Sequence, residues 1–191
     1  MKTDIILAGV GGQGILSIAT VIGTAAMANN LYIKQAETHG MSQRGGAVQS
    51  DLRLSDRPIA SDLIPLGQAD IILSVEPMEA LRYLPFLKPD GWVVTSSAPM
   101  INVPDYPEVE RVLDVLRARE RTVLVDADRL ATEAGNIKAS NMVMLGAATP
   151  FIHLTAADME QAIRTIFGRK GDDVVAVNIE ALRRGIAAAA V

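Results

Sequence analysis

A chain of 191 residues is long enough to bury a sizeable core within one domain. It carries 18 basic and 22 acidic residues, a net charge of −4 with no basic cluster, which argues against nucleic acid as its partner. It has no cysteine, which excludes a disulfide, a thiolate nucleophile, a cysteine-ligated iron–sulfur cluster and a cysteine zinc site.

Apolar residues make up 49% of the chain, and the mean hydropathy is +0.24. No apolar run approaches the roughly 20 residues that span a bilayer, so no membrane partner is expected. The opening Met1-Lys2-Thr3-Asp4 runs straight into a strand without a signal-peptide layout. A cytoplasmic protein with apolar surface to cover, and hence a subunit, is the economical expectation. The two histidines, His39 and His153, are far apart, so no metal site is expected.

In chain order, Asp4 to Val10 predicts a strand buried on both faces, because its apolar positions are continuous. The loop Gly9-Val10-Gly11-Gly12-Gln13-Gly14 follows. It opens a small-residue helix, roughly 13–28, with Ile15, Ile18, Ala19 and Ile22 at helical spacing and Asn29-Asn30 at its end. Leu31 to Glu37 predicts a second strand, leading into a second glycine-rich loop, 37–46. Both loops then lie at the carboxyl ends of their strands, the edge where an open parallel sheet collects ligands. Ala47 to Leu54 alternates apolar and polar, which predicts a strand with one wetter face, antiparallel to the others.

Ser55-Asp56-Arg57-Pro58 reads as a turn, and 59–67 as a surface segment broken by Pro65. Ala69 to Val75 is a buried strand, and Glu76-Pro77 opens a helix with proline in its first turn. Lys88-Pro89-Asp90-Gly91 is a turn signal ahead of a strand over 92–95. After an irregular, proline-broken segment, helix 108–119 and strand 122–126 follow. Helices then fill the last third. One starts at Asp128; an apolar one, 141–148, has Ser140 as its cap and Asn141 capping or buttressing it. The next, 155–167, carries the cap pair Thr155 and Asp158, and the last starts at Asp172. The expected fold is a single three-layer, Rossmann-like α/β domain, 1–191. Its sheet is mostly parallel with an antiparallel strand, helices lie on both faces, and the C-terminal third is helical.

Gly9-x-Gly11-x-x-Gly14 fits the dinucleotide fingerprint in its required place, between a strand and a helix. The second strand ends in an acid, Glu37, 23 residues beyond Gly14, near the distance at which a carboxylate meets an adenine ribose. Physically, Gly11 to Gly14 would present bare N–H groups at a helix N-terminus, suited to phosphate. The same glycines equally serve tight packing or the close approach of another chain, and both readings stay open. A Walker loop is excluded, since no Gly-Lys-Ser/Thr follows. Gln13 either orients a ligand or caps the helix.

The second loop breaks with an ordinary cofactor domain. His39-Gly40-Met41-Ser42-Gln43-Arg44-Gly45-Gly46, with the first glycine loop, Ser55-Asp56-Arg57-Pro58-Ile59 and Asn141-Met142-Val143-Met144-Leu145-Gly146-Ala147, strongly resembles the γ-type subunit of 2-oxoacid:ferredoxin oxidoreductases. The His-Gly-Met-Ser-Gln-Arg-Gly-Gly form favours the indolepyruvate branch. The resemblance implies a role in CoA-dependent oxidative decarboxylation of aryl-2-oxoacids to aryl-acetyl-CoA, with electrons passed to ferredoxin. It implies thiamine diphosphate and iron–sulfur clusters on a large (α) partner subunit. The sequence agrees: it lacks cysteine and a Gly-Asp-Gly…Asn-Asn thiamine diphosphate motif.

No catalytic residue carries over. Gly9, Gly11, Gly12, Gln13 and Gly14 remain candidates for an anion or a CoA phosphate. His39, Ser42, Gln43, Arg44, Gly45 and Gly46 are candidates for substrate or partner contact. Arg44 either clamps a carboxylate or CoA phosphate with its planar fork, or holds its loop and bridges to the partner. His39 is the one acid–base group near both loops. The rival reading is a stand-alone NAD(P)-dependent dinucleotide-binding protein. The covered apolar surface also leaves room for a homodimer of the isolated chain.

Overall fold

The computed structural model describes residues 1–40 and 45–189. Six strands form one sheet in the order β2-β3-β1-β4-β5-β6. They are β1 (Lys2–Val10), β2 (Tyr32–His39), β3 (Ala47–Ser55), β4 (Ala69–Ser74), β5 (Leu87–Ser96) and β6 (Thr122–Val125). β1, β4, β5 and β6 run parallel, while β3 is antiparallel to both of its neighbours, β1 and β2. The sheet is therefore mixed and mostly parallel, with the antiparallel strand where the alternation of 47–54 put it.

Helices α1 (Ile15–Ala28), α4 (Ala127–Glu133), α5 (Ser140–Ala148), α6 (Ala156–Phe167) and α7 (Asp172–Ala188) share one apolar core on one face. α2 (Pro77–Arg82) and α3 (Val109–Arg117) pack with a second, smaller core on the other. β1 explains the division, since Ile5 and Leu7 face the first core and Ile6 and Ala8 the second. Ile5, Ile6 and Leu7 are fully buried, each worth about 1.5–3 kcal/mol. α7 lies backbone-to-backbone on α5: a Cβ on Gly146 would sit 2.0 Å from the Leu182 carbonyl oxygen, and one on Gly185 1.9 Å from that of Val143. Among the described residues no helix is long and apolar enough to cross a membrane.

Several expectations change. β3 sits between β1 and β2, so the β1–α1–β2 unit spans a strand rather than joining neighbours. The expected wet face of β3 is buried. Asp51 accepts from the Ile64 N–H at 2.9 Å, and Arg53 pairs with buried Asp4 at 2.8 Å while donating to the Ser61 and Leu63 carbonyls. Polar alternation here marks internal pairing, with segment 61–64 as the cover. Lys88 to Gly91 is no turn but part of β5, whose pairing with β4 shifts from Ala69–Leu87 to Ile71–Trp92 and absorbs the extra residues as a bulge. Ser140 does not cap α5; it is the first helical residue, and Ala139 precedes it without a side-chain cap. The Thr155–Asp158 capping box is present as expected.

Candidate functional site

β1 and β2 both run antiparallel to β3, so their carboxyl ends meet at one edge of the sheet with those of β4 and β5. The two glycine loops are stitched together there. Gly11 N–H donates to the Gly46 carbonyl at 2.8 Å, and Gly45 N–H to the Gly11 carbonyl at 3.3 Å. This pair continues the β1–β3 ladder past Val10 and Ala47. Beside it opens a cleft of about 380 Å³, with Gly11, Gly12, Gly14 and Leu16 on one wall and Glu37 and His39 on the other. Glu37 and His39 are exposed.

The first loop is only partly the amide cradle that its glycines suggest. The N–H groups of Gly11 and Gln13 are used internally, Gln13 N–H donating to the Val10 carbonyl at 3.1 Å. Gly9 serves packing, because a Cβ there would lie 2.4 Å from the Val75 side chain. Gly12 and Gly14 adopt left-handed conformations, φ 106° and 80°, which only glycine takes up without strain. The N–H groups of Ile15 and Leu16 belong to the first turn of α1, where a helix leaves donors without internal partners; both residues line the cleft. The candidate for an anion site is thus narrowed from the whole of Gly11–Gly14 to Gly12, Gly14 and the first turn of α1.

Gln13 is a structural tie. Its Oε1 accepts from Val10 N–H at 2.8 Å, and its Nε2 donates to the Val75 carbonyl at 3.2 Å. Asn141 buttresses the first loop rather than its own helix, donating from Nδ2 to the Gly14 carbonyl at 3.2 Å. Ser42, Gln43 and Arg44 lie outside the described residues.

Three residues that sequence reasoning missed stand at the same edge. Glu76, two residues past β4 and the N-cap of α2, is fully buried. It accepts from Glu79 N–H at 2.8 Å, from the Tyr106 hydroxyl at 2.5 Å and from Met100 N–H at 3.4 Å. Burial, and next the bond to Glu76, push the Tyr106 hydroxyl pKa well up. Asn102, between these anchors, donates from its side-chain amide to the Gly45 carbonyl. The Glu-Pro pair at a strand end was legible as a helix start, but nothing local marks the carboxylate as buried.

Among the described residues no cluster of three or more His, Asp or Glu side chains could hold a metal ion. With no cysteine in the sequence, the donor set for an iron–sulfur cluster does not fit this chain.

Residues 4–188 match the family model "Pyruvate ferredoxin/flavodoxin oxidoreductase". The chain is 37% identical to indolepyruvate oxidoreductase subunit IorB of Pyrococcus horikoshii, over 97% of this chain and 95% of that one. Its fold is similar to the keto/oxoacid ferredoxin oxidoreductase γ subunit of Geobacter sulfurreducens, with a TM-score of 0.70 at 23% identity, covering 98% of each chain. It is also similar to part of the 2-oxoglutarate:ferredoxin oxidoreductase of Magnetococcus marinus, with a TM-score of 0.77 at 23% identity. There the match covers 98% of this chain but only 31% of the longer one. The chain belongs to the pyruvate ferredoxin/flavodoxin oxidoreductase family, as a γ-type subunit of its indolepyruvate branch.

Proposed function

We propose that this chain is the subunit without a redox cofactor in a heteromeric indolepyruvate:ferredoxin oxidoreductase. Its large α partner carries thiamine diphosphate and the iron–sulfur clusters. The complex takes an aryl-2-oxoacid and CoA to the aryl-acetyl-CoA and carbon dioxide, and passes two electrons to ferredoxin. The observation that carries this reading is the 37% identity to an indolepyruvate oxidoreductase subunit over nearly the whole of both chains. The complete lack of cysteine supports placing the electron-carrying part on the partner.

Within that complex the cleft between the two glycine loops takes a phosphate-bearing part of CoA. The phosphate sits against Gly12, Gly14 and the first turn of α1, away from the Glu37 carboxylate, which would repel it. Glu37 then faces hydroxyl or amide N–H groups of the same molecule. His39, Ser42, Gln43, Arg44, Gly45 and Gly46 contact the partner or the substrate. The chain works as one unit, in the cytoplasm, without membrane or nucleic acid, and in isolation it pairs as a homodimer. The rival NAD(P) reading is disfavoured by Gln13, whose side chain already ties the end of β1 to that of β4.

The test is co-expression with the large-subunit gene of the same genome, followed by gel filtration. A complex holding both chains, with CoA binding weakened by a Gly12 substitution, supports the reading. Two chains that elute separately at micromolar concentration contradict it.

A further inference from the structure

We propose that Asn102 is a positioning residue for the cleft: its side-chain amide, donated to the Gly45 carbonyl, fixes how the second glycine loop meets the first. The proposal rests on the reading of that cleft as the CoA-facing surface of the subunit.

Apolar packing does not hold the segment that carries Asn102. Its neighbours Ile101 and Val103 are 65% and 43% exposed. What holds the segment is polar. Ala98 N–H donates to Ser96 Oγ at 3.1 Å, and Met100 N–H and the Tyr106 hydroxyl both donate to one oxygen of Glu76. The other oxygen of Glu76 accepts from Glu79 N–H, and Ser74 Oγ donates to the Glu76 carbonyl at 2.6 Å. Residues 100–106 are thus bolted at both ends to Glu76, at the turn from β4 into α2, while Ala98 is held by Ser96 at the end of β5. Their middle reaches across to Gly45 through Asn102.

The contact falls where it can act on the cleft. Gly45 has a left-handed φ of 77°, and neither Gly45 nor Gly46 has a side chain to anchor it. Gly45 N–H and the Gly46 carbonyl both bond to Gly11, the residue next to the left-handed Gly12 at the cleft rim. The Gly11 peptides therefore take their position from Gly45 and Gly46, and Asn102 supports that pair through the Gly45 carbonyl. Release of Asn102 leaves Gly45 and Gly46 free to move together with Gly11. The core is untouched, because Asn102 is exposed.

The test uses Asn102→Ala and Asn102→Asp, with Asp105→Asn as a control in the same segment. Neither alanine nor aspartate can donate to the Gly45 carbonyl. Amide hydrogen exchange of the full chain, resolved by NMR, should quicken about three- to tenfold at Gly11 and Gly45 in both variants, as expected for loss of one net hydrogen bond. The control should match wild type. In the co-purified complex the same variants should raise KM for CoA by a similar factor at unchanged kcat. Unchanged exchange at Gly11 and Gly45 overturns the proposal. So does faster exchange with an unchanged KM for CoA, which would make the bond merely structural. A wild-type complex without CoA-dependent turnover would instead sink the functional reading, and the exchange measurement would still decide whether Asn102 positions Gly45 and Gly46.

Discussion

Gln13 and Val75 are joined across the sheet: the Gln13 amide donates to the Val75 carbonyl at 3.2 Å while its oxygen accepts from Val10 N–H at 2.8 Å. The bond links the ends of β1 and β4, whose following helices, α1 and α2, leave to opposite faces of the sheet. That divergence is the crevice in which open α/β sheets bind dinucleotides. Here a side chain spans it.

The isolated chain should accordingly show no heat of NAD(H) binding by calorimetry at micromolar protein. Gln13→Ala should destabilise it by about 1–3 kcal/mol, because Val10 N–H and the Val75 carbonyl each lose a partner. Urea denaturation measures the second effect. Micromolar NAD(H) affinity in the wild-type chain would revive the dinucleotide reading.

The β3 pairing gives a larger effect. Asp4 is fully buried and bonded by both Arg53 Nε and Nη2, at 2.8 and 3.1 Å. Arg53→Met should cost about 3–5 kcal/mol by leaving that carboxylate short of its partner. Lys2, 2.6 Å from Asp4 but half-exposed, compensates only in part. A change under about 1 kcal/mol in denaturant unfolding would show that the pair contributes little.

The α5–α7 contact tolerates no side chain. Gly185→Ala would place its Cβ 1.9 Å from the Val143 carbonyl oxygen, and both partners are backbone. Separation of the helices should cost at least about 1–3 kcal/mol and lower the melting temperature. Gly12→Ala makes the comparison. No atom lies within 4 Å of its added Cβ, and only the left-handed φ opposes it, a cost of roughly 1–2 kcal/mol.

How much of this was legible in the sequence depends on how local the cause is. The unbroken apolar run Ile5 to Ala8 announced a two-faced strand, and Thr155 with Asp158 announced a helix start. Both features are set within a few residues. The position of β3 between β1 and β2 is a long-range pairing that no local pattern carries. Lys88 to Gly91 has turn chemistry but lies in a bulge, because β4 continues beside it. At the site, the glycine loops were visible as loops. Their joining through Gly11 and Gly46 depends on the ladder register, and the Glu76–Tyr106 anchor depends on burial of an acid that composition expects at the surface.

Acid sensitivity follows from Asp158. The Thr155 hydroxyl, then the Asn29 side-chain amide, hold its carboxyl below the usual aspartate value of 3.8. A lowered folded-state pKa stabilises above the unfolded value, and that stability is lost as pH falls through the lowered one. Glu160, lowered chiefly by its bond from Arg183, acts with the same sign. Urea midpoints should therefore drop as pH falls below the usual carboxylate range. Asp158→Asn should flatten part of that fall, and an unchanged pH slope in the variant would place the sensitivity elsewhere.

On the proposed function, this chain is a working subunit whose redox chemistry lies in its partner. The most direct measurement is indolepyruvate- and CoA-dependent reduction of a low-potential dye under anaerobic conditions. It is run on the chain alone, on the large subunit alone and on the co-purified pair. Turnover is expected from the pair, with none from this chain by itself. Reduction of the dye by this chain alone, freed of any large subunit, would contradict it.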